Sequence, residues 1–103
     1  MVIEWLNVTV QVDLRERYVQ QDDEIWTPVL ASYPGFLGKE VWINPDDLTQ
    51  VVLIVRWASF EEWQAIPQEV LDETETRFRE AMGGNTYAIT DSRRFQVRKY
   101  GPS

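Results

Sequence analysis

Residues 33–63 read YPGFLGKEVWINPDDLTQVVLIVRWASFEEW, and the order of the turns within this segment predicts the fold. A Pro-Gly turn at 34–35 precedes one strand-forming run, and the Asn-Pro-Asp-Asp turn at 44–47 separates it from a second run. Ser59 and Glu62 then have the spacing of a capping box, in which Ser59 caps a helix and Glu62 reaches back. Two antiparallel strands followed by a helix are therefore predicted.

The segments on either side extend this pattern. Residues 2–11 alternate between two faces, as expected of a half-buried strand. Apolar residues then recur at helical spacing over about residues 13–32, and Pro28 is predicted to kink this helix. After a second helical segment, residues 86–90 and 94–100 form either two short strands or one interrupted strand.

The order β-α-β-β-α-β predicts an α+β fold of the ferredoxin-like type, with an antiparallel sheet of four strands and both helices on one face. Residues 1–103 are expected to form this one domain. Along the second strand, Leu37 and Val41 are expected to share a face. The face without helices would expose Trp5 and Trp42, among other apolar side chains. We therefore expect two copies to pack sheet against sheet, as a homodimeric α+β barrel.

The composition disfavours several classes of function. Seventeen acidic against ten basic residues give a net charge of −7, which disfavours nucleic acid or an anionic membrane as a partner. The absence of cysteine and histidine excludes thiolate chemistry, histidine-containing metal sites and a serine–histidine nucleophile. No apolar run is long enough to span a bilayer and the first residues do not resemble a signal peptide, so a cytoplasmic protein is expected.

The chain resembles the antibiotic biosynthesis monooxygenase-like proteins of the dimeric α+β barrel superfamily. The matching residues are Y-P-G-F at 33–36, E-V-W at 40–42, Asp46, V-R-W-A-S at 55–59 and E-W at 62–63. The similarity extends over about residues 2–66 and is closest to a small branch found mainly in cyanobacteria. The resemblance implies a dimer formed through the sheets and, in each protomer, a cavity between sheet and helices for a hydrophobic aromatic substrate or haem.

The resemblance also implies a site residue. Cofactor-independent monooxygenases and haem-degrading members of the superfamily use an asparagine on the first strand, and Asn7 lies at the matching place. The haem-degrading members add a tryptophan and a histidine on the second helix. The tryptophan position falls near Ile66, close to Trp63, and this chain has no histidine. Haem ligation of that type is not expected, and no cofactor or metal is predicted.

Asn7 is the main catalytic candidate. Its amide can hold a phenol oxygen or stabilise a substrate anion that reacts with dioxygen. It can equally be a polar residue that is hydrogen-bonded to the backbone. If Asn7 is catalytic, Asn7→Ala is expected to abolish turnover with little change in the melting temperature.

Four further residues are candidates for substrate binding. Trp5, Trp26 and Trp63 can wall a pocket for a flat ligand, or they can fill the core and the dimer interface. Arg56 interrupts an apolar strand. It can balance the charge of a ligand, or it can pair with an acidic residue on an adjoining strand, such as Glu40.

Two functions are compatible with these residues, with haem binding through a tyrosine or a surface hydrophobic slot as a third possibility. The first is a cofactor-independent monooxygenase, in which Asn7 orients an aromatic substrate, the tryptophans wall it and Arg56 balances its charge. The second is a non-catalytic dimeric module that binds a small hydrophobic ligand or a protein partner. The lack of histidine favours the second, because histidine is the side chain that most often serves as acid or base near neutral pH.

Overall fold

A computed structural model describes residues 1–101 of the chain. The strands are β1 (Val2–Val10), β2 (Phe36–Asn44), β3 (Asp47–Trp57) and β4 (Tyr87–Gln96). The helices are α1 (Arg15–Gln21), α2 (Thr27–Ala31), α3 (Phe60–Gln64) and α4 (Gln68–Ala81). Among these helices, all of which lie in the described part of the chain, none has the length and apolar character to cross a membrane.

The four strands form one antiparallel sheet in the order β2-β3-β1-β4. This is the order of a ferredoxin-like α+β fold, so the predicted fold class is confirmed. The last strand is continuous from Tyr87 to Gln96, with a register shift opposite Asn7 and Val8. The shift leaves Thr90 as the extra residue of a bulge, which accounts for the interrupted pattern in the sequence.

The helices cover one face of the sheet, where two apolar clusters form the core. One cluster is centred on Val8, Val51 and Phe78, and the other contains Trp57 and Leu30. Trp26 packs against both clusters. The two clusters and the side chains between them determine how closely the helices approach the sheet.

The first helical layer is not one regular helix. A turn of 3₁₀ helix at Val12–Leu14 leads into α1, and a π-helical segment at Asp22–Trp26 separates α1 from α2. Pro28 lies in the first turn of α2, directly after the π-helical segment, where its missing N–H removes one helical hydrogen bond. The irregularity that Pro28 predicts is therefore present, as a widened turn that ends just before the proline. Such segments are frequent at functional sites.

A bulge in β2 corrects one prediction from the sequence. Leu37 was expected to share a face with Val41, but the pairing of β2 with β3 shifts between Phe36 and Gly38, and Leu37 is 56% exposed. Phe36 instead packs edge-on against Trp57, with ring centroids 5.6 Å apart. Simple alternation fails here because the extra residue reverses the faces within one strand.

The start of α3 is held by the predicted cap. The backbone N–H of Glu62 donates to Ser59 Oγ at 3.1 Å, and the Ser59 hydroxyl donates to the Glu62 carboxylate at 3.1 Å. Gly35 packs closely beneath this cap: it has a φ of 90°, and a Cβ there would lie 2.6 Å from Glu62 Cδ. The cap therefore fixes the position of α3, which carries Trp63 towards the sheet.

A chain of side-chain hydrogen bonds crosses the other face of the sheet, through all four strands. Asn44 Nδ2 donates to Gln50 Oε1 at 2.8 Å, and Gln50 Nε2 donates to Asn7 Oδ1 at 2.7 Å. Asn7 Nδ2 then donates to Thr90 Oγ1 at 2.8 Å, and the Thr90 hydroxyl lies 3.3 Å from the Asn7 carbonyl. Asn7 is thus the link between the central strands and the bulge of β4.

Asn7→Ala is expected to lower the free energy of unfolding by about 1–3 kcal/mol, because it removes the two hydrogen bonds that the Asn7 side chain makes with Gln50 and Thr90. Urea denaturation monitored by tryptophan fluorescence measures the effect. Thr9→Ala is the matched control, since Thr9 is an exposed residue on the same strand and face. Equal stability of the two variants would contradict a structural role for the Asn7 side chain.

Candidate functional site

A cavity of about 350 Å³ lies between the sheet and the helices. Its walls are mostly apolar and include the indole rings of Trp26 and Trp63. The polar side chains that line it are Glu4, Tyr18, Asp22, Lys39, Glu75, Tyr87 and Ser92. A mainly apolar cavity of this size with a few polar groups is typical of a small-molecule site.

The cavity opens at the edge of the sheet. Ile89 and Ser92 belong to the edge strand β4 and line the cavity. Both are exposed to solvent, and Ile89 is 55% exposed. The side of the cavity formed by β4 is therefore its contact with solvent.

A buried ion pair forms one side of the cavity. Lys39 Nζ lies 2.7 Å from each carboxylate oxygen of Asp22, and the two side chains are 5% and 1% exposed. Burial raises the pKa of Asp22, and the charge and hydrogen bond of Lys39 act in the opposite direction. The π-helical segment supplies Asp22, and the strand beyond the β2 bulge supplies Lys39, so both irregularities contribute to this pair.

Glu4 lies on the cavity face of β1, beside Leu6. Its carboxyl forms neither an ion pair nor a side-chain hydrogen bond with any of residues 1–101. Burial raises the pKa of Glu4 to about 7, with the positive charge of Lys39 as a smaller opposing effect. A carboxyl group that titrates near neutral pH inside a cavity is a candidate for proton transfer.

Two tyrosines complete the polar part of the cavity. Tyr87 donates its hydroxyl hydrogen to Glu75, and Tyr18 packs edge-on against Tyr87 with ring centroids 5.5 Å apart. Burial is the largest cause that raises the pKa of both tyrosines, and the negative charge of Glu75 adds to it. Both hydroxyl groups therefore keep their protons at neutral pH; the Tyr18 hydroxyl can donate or accept a hydrogen bond, and the Tyr87 hydroxyl, which donates to Glu75, can still accept one.

The structure separates the residues that the sequence singled out into two groups. Trp26 and Trp63 line the cavity. Asn7, Trp5 and Arg56 lie on the opposite face of the sheet, because side chains alternate along a strand and Glu4 and Leu6 occupy the cavity side.

On that opposite face each of the three has a partner within the same chain. Arg56 pairs with Glu40, as one of the two interpretations of its sequence position expects. The guanidinium of Arg93 lies over the Trp5 ring, 5.7 Å from its centroid. The side-chain amide of Asn7 is hydrogen-bonded to Gln50 and Thr90, as described above. The roles of Asn7, Trp5 and Arg56 in binding or catalysis stay predictions.

Glu4, Asp22 and Lys39 are among the polar residues of the cavity that were not singled out as site residues from the sequence. The sequence did contain a signal for Glu4. With the apolar Leu6 and Val8 it occupies every second position along β1, which places it on the same face of the strand as these two residues. Asp22 carried no such signal, because in a regular helix it is one acidic residue in an exposed run. The widened turn that buries it depends on tertiary packing.

Glu4→Gln is expected to stabilise the fold increasingly as the pH rises. The Glu4 pKa of about 7 lies above its ordinary value of 4.5, so its favourable contribution is complete below pH 4.5 and is lost as the pH rises through 7. Glutamine has no proton to lose. The gain in the free energy of unfolding is expected to be about 2 kcal/mol larger near about pH 8.5 than near about pH 5.5.

Urea denaturation at both pH values measures this difference. Glu61→Gln, which removes an exposed carboxylate from α3, is the control and is expected to show a difference that hardly changes with pH. A gain for Glu4→Gln that stays constant over the range would show that Glu4 ionises normally in the folded protein.

Comparison with known proteins identifies the family. The family model described as antibiotic biosynthesis monooxygenase matches residues 1–69. Among curated proteins, no relative matches the chain significantly. The comparisons do not address the cyanobacterial branch, which stays a prediction.

Several solved structures have the same fold. SnoaB, a cofactor-independent oxygenase from Streptomyces nogalater, is 17% identical, with a TM-score of 0.71 over 99% of this chain and 97% of its own. A monooxygenase from Streptomyces coelicolor, in complex with nanaomycin D, is 18% identical, with a TM-score of 0.72 over 99% and 92%. A dimeric ferredoxin-like protein from an uncultured marine organism is 13% identical, with a TM-score of 0.67 over 99% and 92%.

At identities of 13–18%, the similarity to these solved structures shows that the fold is shared. The family model covers well over half of the 103 residues. The chain therefore belongs to the antibiotic biosynthesis monooxygenase family.

Proposed function

We propose that the protein binds a small aromatic substrate with a hydroxyl group in the cavity and oxidises it with dioxygen, without a bound cofactor. The observation that carries this proposal is the cavity itself, in which two indole rings face a carboxyl group and a buried ion pair. Family membership supports it. So does SnoaB, a cofactor-independent oxygenase of the same fold.

The lining of the cavity favours a flat and weakly polar molecule. Trp26 and Trp63 offer ring faces for stacking, and Leu6, Leu53 and Ile66 contribute aliphatic contacts. The volume of about 350 Å³ is at the lower end of ligand sites, so one small molecule fills it. The polar groups lie among these apolar walls, where they orient a hydroxyl group more effectively than they would in water.

We also propose that the protein is a homodimer formed through the face of the sheet that lacks helices. Trp42 is 49% exposed and Phe95 is 50% exposed, and both are costly to leave in water. The dimeric ferredoxin-like protein of the same fold supports this arrangement. In this proposal Asn7 and Trp5 lie at the interface, and Trp26 and Trp63 contact the substrate.

The experiment is oxygen consumption with α-naphthol, which dioxygen converts to naphthoquinone and water. Trp63→Ala is expected to raise KM about tenfold or more, because a lost aromatic wall of about 1.4 kcal/mol is a factor of ten in affinity. Tyr100→Ala is the control, since Tyr100 is the most exposed aromatic residue at 74% and lies outside the cavity.

Calorimetric titration of α-naphthol separates binding from turnover. Binding that depends on Trp63, with no oxygen consumed, would support the non-catalytic ligand-binding module instead. Neither binding nor turnover by a folded protein would remove the cavity as the functional site.

A further inference from the structure

We propose that Glu4 accepts the proton of the substrate hydroxyl and that Lys39, positioned by Asp22, holds the oxygen anion that results. This inference rests on the proposed function and assigns a base to it. Glu4 and Lys39 lie two strands apart on the cavity face of the sheet, Asp22 contacts Lys39 from the helical layer, and no histidine is present to serve instead.

The register of the sheet places Glu4 and Lys39 on either side of one residue. Val55 of β3 is the cross-strand partner of Glu4 on β1 and of Lys39 on β2. Since neighbouring strands lie about 4.8 Å apart, the backbones of Glu4 and Lys39 are about 10 Å apart, with the short valine side chain between them. A hydroxyl oxygen above Val55 therefore lies between a carboxyl group and an ammonium group.

Asp22 fixes the direction of the Lys39 ammonium. Lys39 Nζ is 2.7 Å from both oxygens of Asp22 and donates a hydrogen bond to Oδ1, whereas Oδ2 accepts no hydrogen bond from residues 1–101. The N–H groups that this bond does not use are available to a ligand. Because the pair is almost completely buried, this donor is held in place before the substrate arrives.

The other groups around Glu4 leave it as the unpaired base. The titratable or charged residues on the elements packed around it are Tyr18, Asp22, Lys39, Glu75, Tyr87 and Arg94. Asp22 is neutralised by Lys39, and Glu75 accepts a hydrogen bond from Tyr87 and lies 3.6 Å from Arg79 Nη2. The residues of β3, α2 and α3 that line the cavity carry no charge.

Arg94 is the cross-strand neighbour of Glu4 on β4 but does not pair with it. Its guanidinium lies over the Phe60 ring, 4.9 Å from the centroid. The Glu4 carboxyl is thus left facing the cavity. Its raised pKa agrees with this environment, because a base that titrates near neutral pH can both take and return a proton there.

The reaction with a naphthol balances with this one base. Glu4 takes the hydroxyl proton, and the phenolate transfers electrons to dioxygen as a carbon–oxygen bond forms at a ring carbon. Glu4 returns the proton to the new peroxide. Glu4 then takes the proton of that same ring carbon as the oxygen–oxygen bond breaks. It passes this proton to the departing hydroxide, which becomes water. The ring loses four electrons, and the two oxygen atoms of dioxygen end in the quinone carbonyl and in water.

The first experiment measures turnover of α-naphthol against pH. Glu4→Gln is expected to lower kcat at least about a hundredfold, the usual contribution of a general base. The kcat of the unaltered protein is expected to rise with pH through about 7, the pKa of Glu4, and the residual rate of the variant is expected to lack this rise. Glu4→Asp keeps a carboxyl group and is expected to restore part of the rate.

Glu61→Gln, on the surface of α3, is the matched control and is expected to retain the full rate. A Glu4→Gln variant with unaltered kcat and pH profile would overturn the assignment of the base.

The second experiment tests Lys39 by binding alone. Lys39→Met leaves Asp22 buried without a partner and endangers folding, so the variant is the double substitution Lys39→Met with Asp22→Asn. It is expected to bind para-nitrophenolate about tenfold more weakly than the unaltered protein, with the same circular dichroism spectrum. Equal affinity in a folded double variant would overturn the role of Lys39.

A third measurement separates this inference from the proposed function. If the protein consumes no oxygen with α-naphthol, the proposed oxidation fails, and affinities then decide the role of Glu4. The inference expects β-naphthol to bind more tightly than its methyl ether, and expects Glu4→Gln to reduce that preference at least about fivefold. Equal affinity for the two probes, or an unchanged preference in the variant, would overturn it.

Discussion

The ion pair between Lys39 and Asp22 is the interaction on which the arrangement of the cavity depends. It ties strand β2 to the widened turn between α1 and α2, and it does so where both side chains are removed from water. Removing one partner from such a pair leaves a buried charge and typically costs about 3–5 kcal/mol. The ion pair therefore holds the first helical layer against the sheet at the side of the cavity.

The two faces of the sheet have different tasks. On the helix-covered face, apolar clusters enclose a space that contains an unpaired carboxyl group and the ion pair. On the other face, amide and hydroxyl groups bond to one another across all four strands, between exposed aromatic side chains. Successive side chains along a strand point to opposite faces of the sheet. Glu4 and Asn7 therefore lie on different faces although they are only three residues apart on β1.

The element order could be predicted from the sequence because turns and caps are local. The Asn-Pro-Asp-Asp turn and the Ser59 cap depend on nearby residues, and both occur as expected. Leu37 and Asp22 could not be placed in this way, since a bulge in β2 and a π-helical turn arise from packing between distant segments. Glu4 could be placed only in part. The alternation along β1 predicts that it lies on the helix-covered face, but its lack of a partner among residues 1–101 depends on where Arg94 and Lys39 lie in the folded protein.

The opening at β4 bears on how this scaffold can diversify. Ile89 and Ser92 contact the interior yet lie on an exposed edge strand, so their replacement disturbs little of the packed protein. Substitutions there would alter the width of the entrance while leaving the charged groups inside untouched. Family members that differ at these two positions would then admit molecules of other sizes and keep the same charged groups in the cavity.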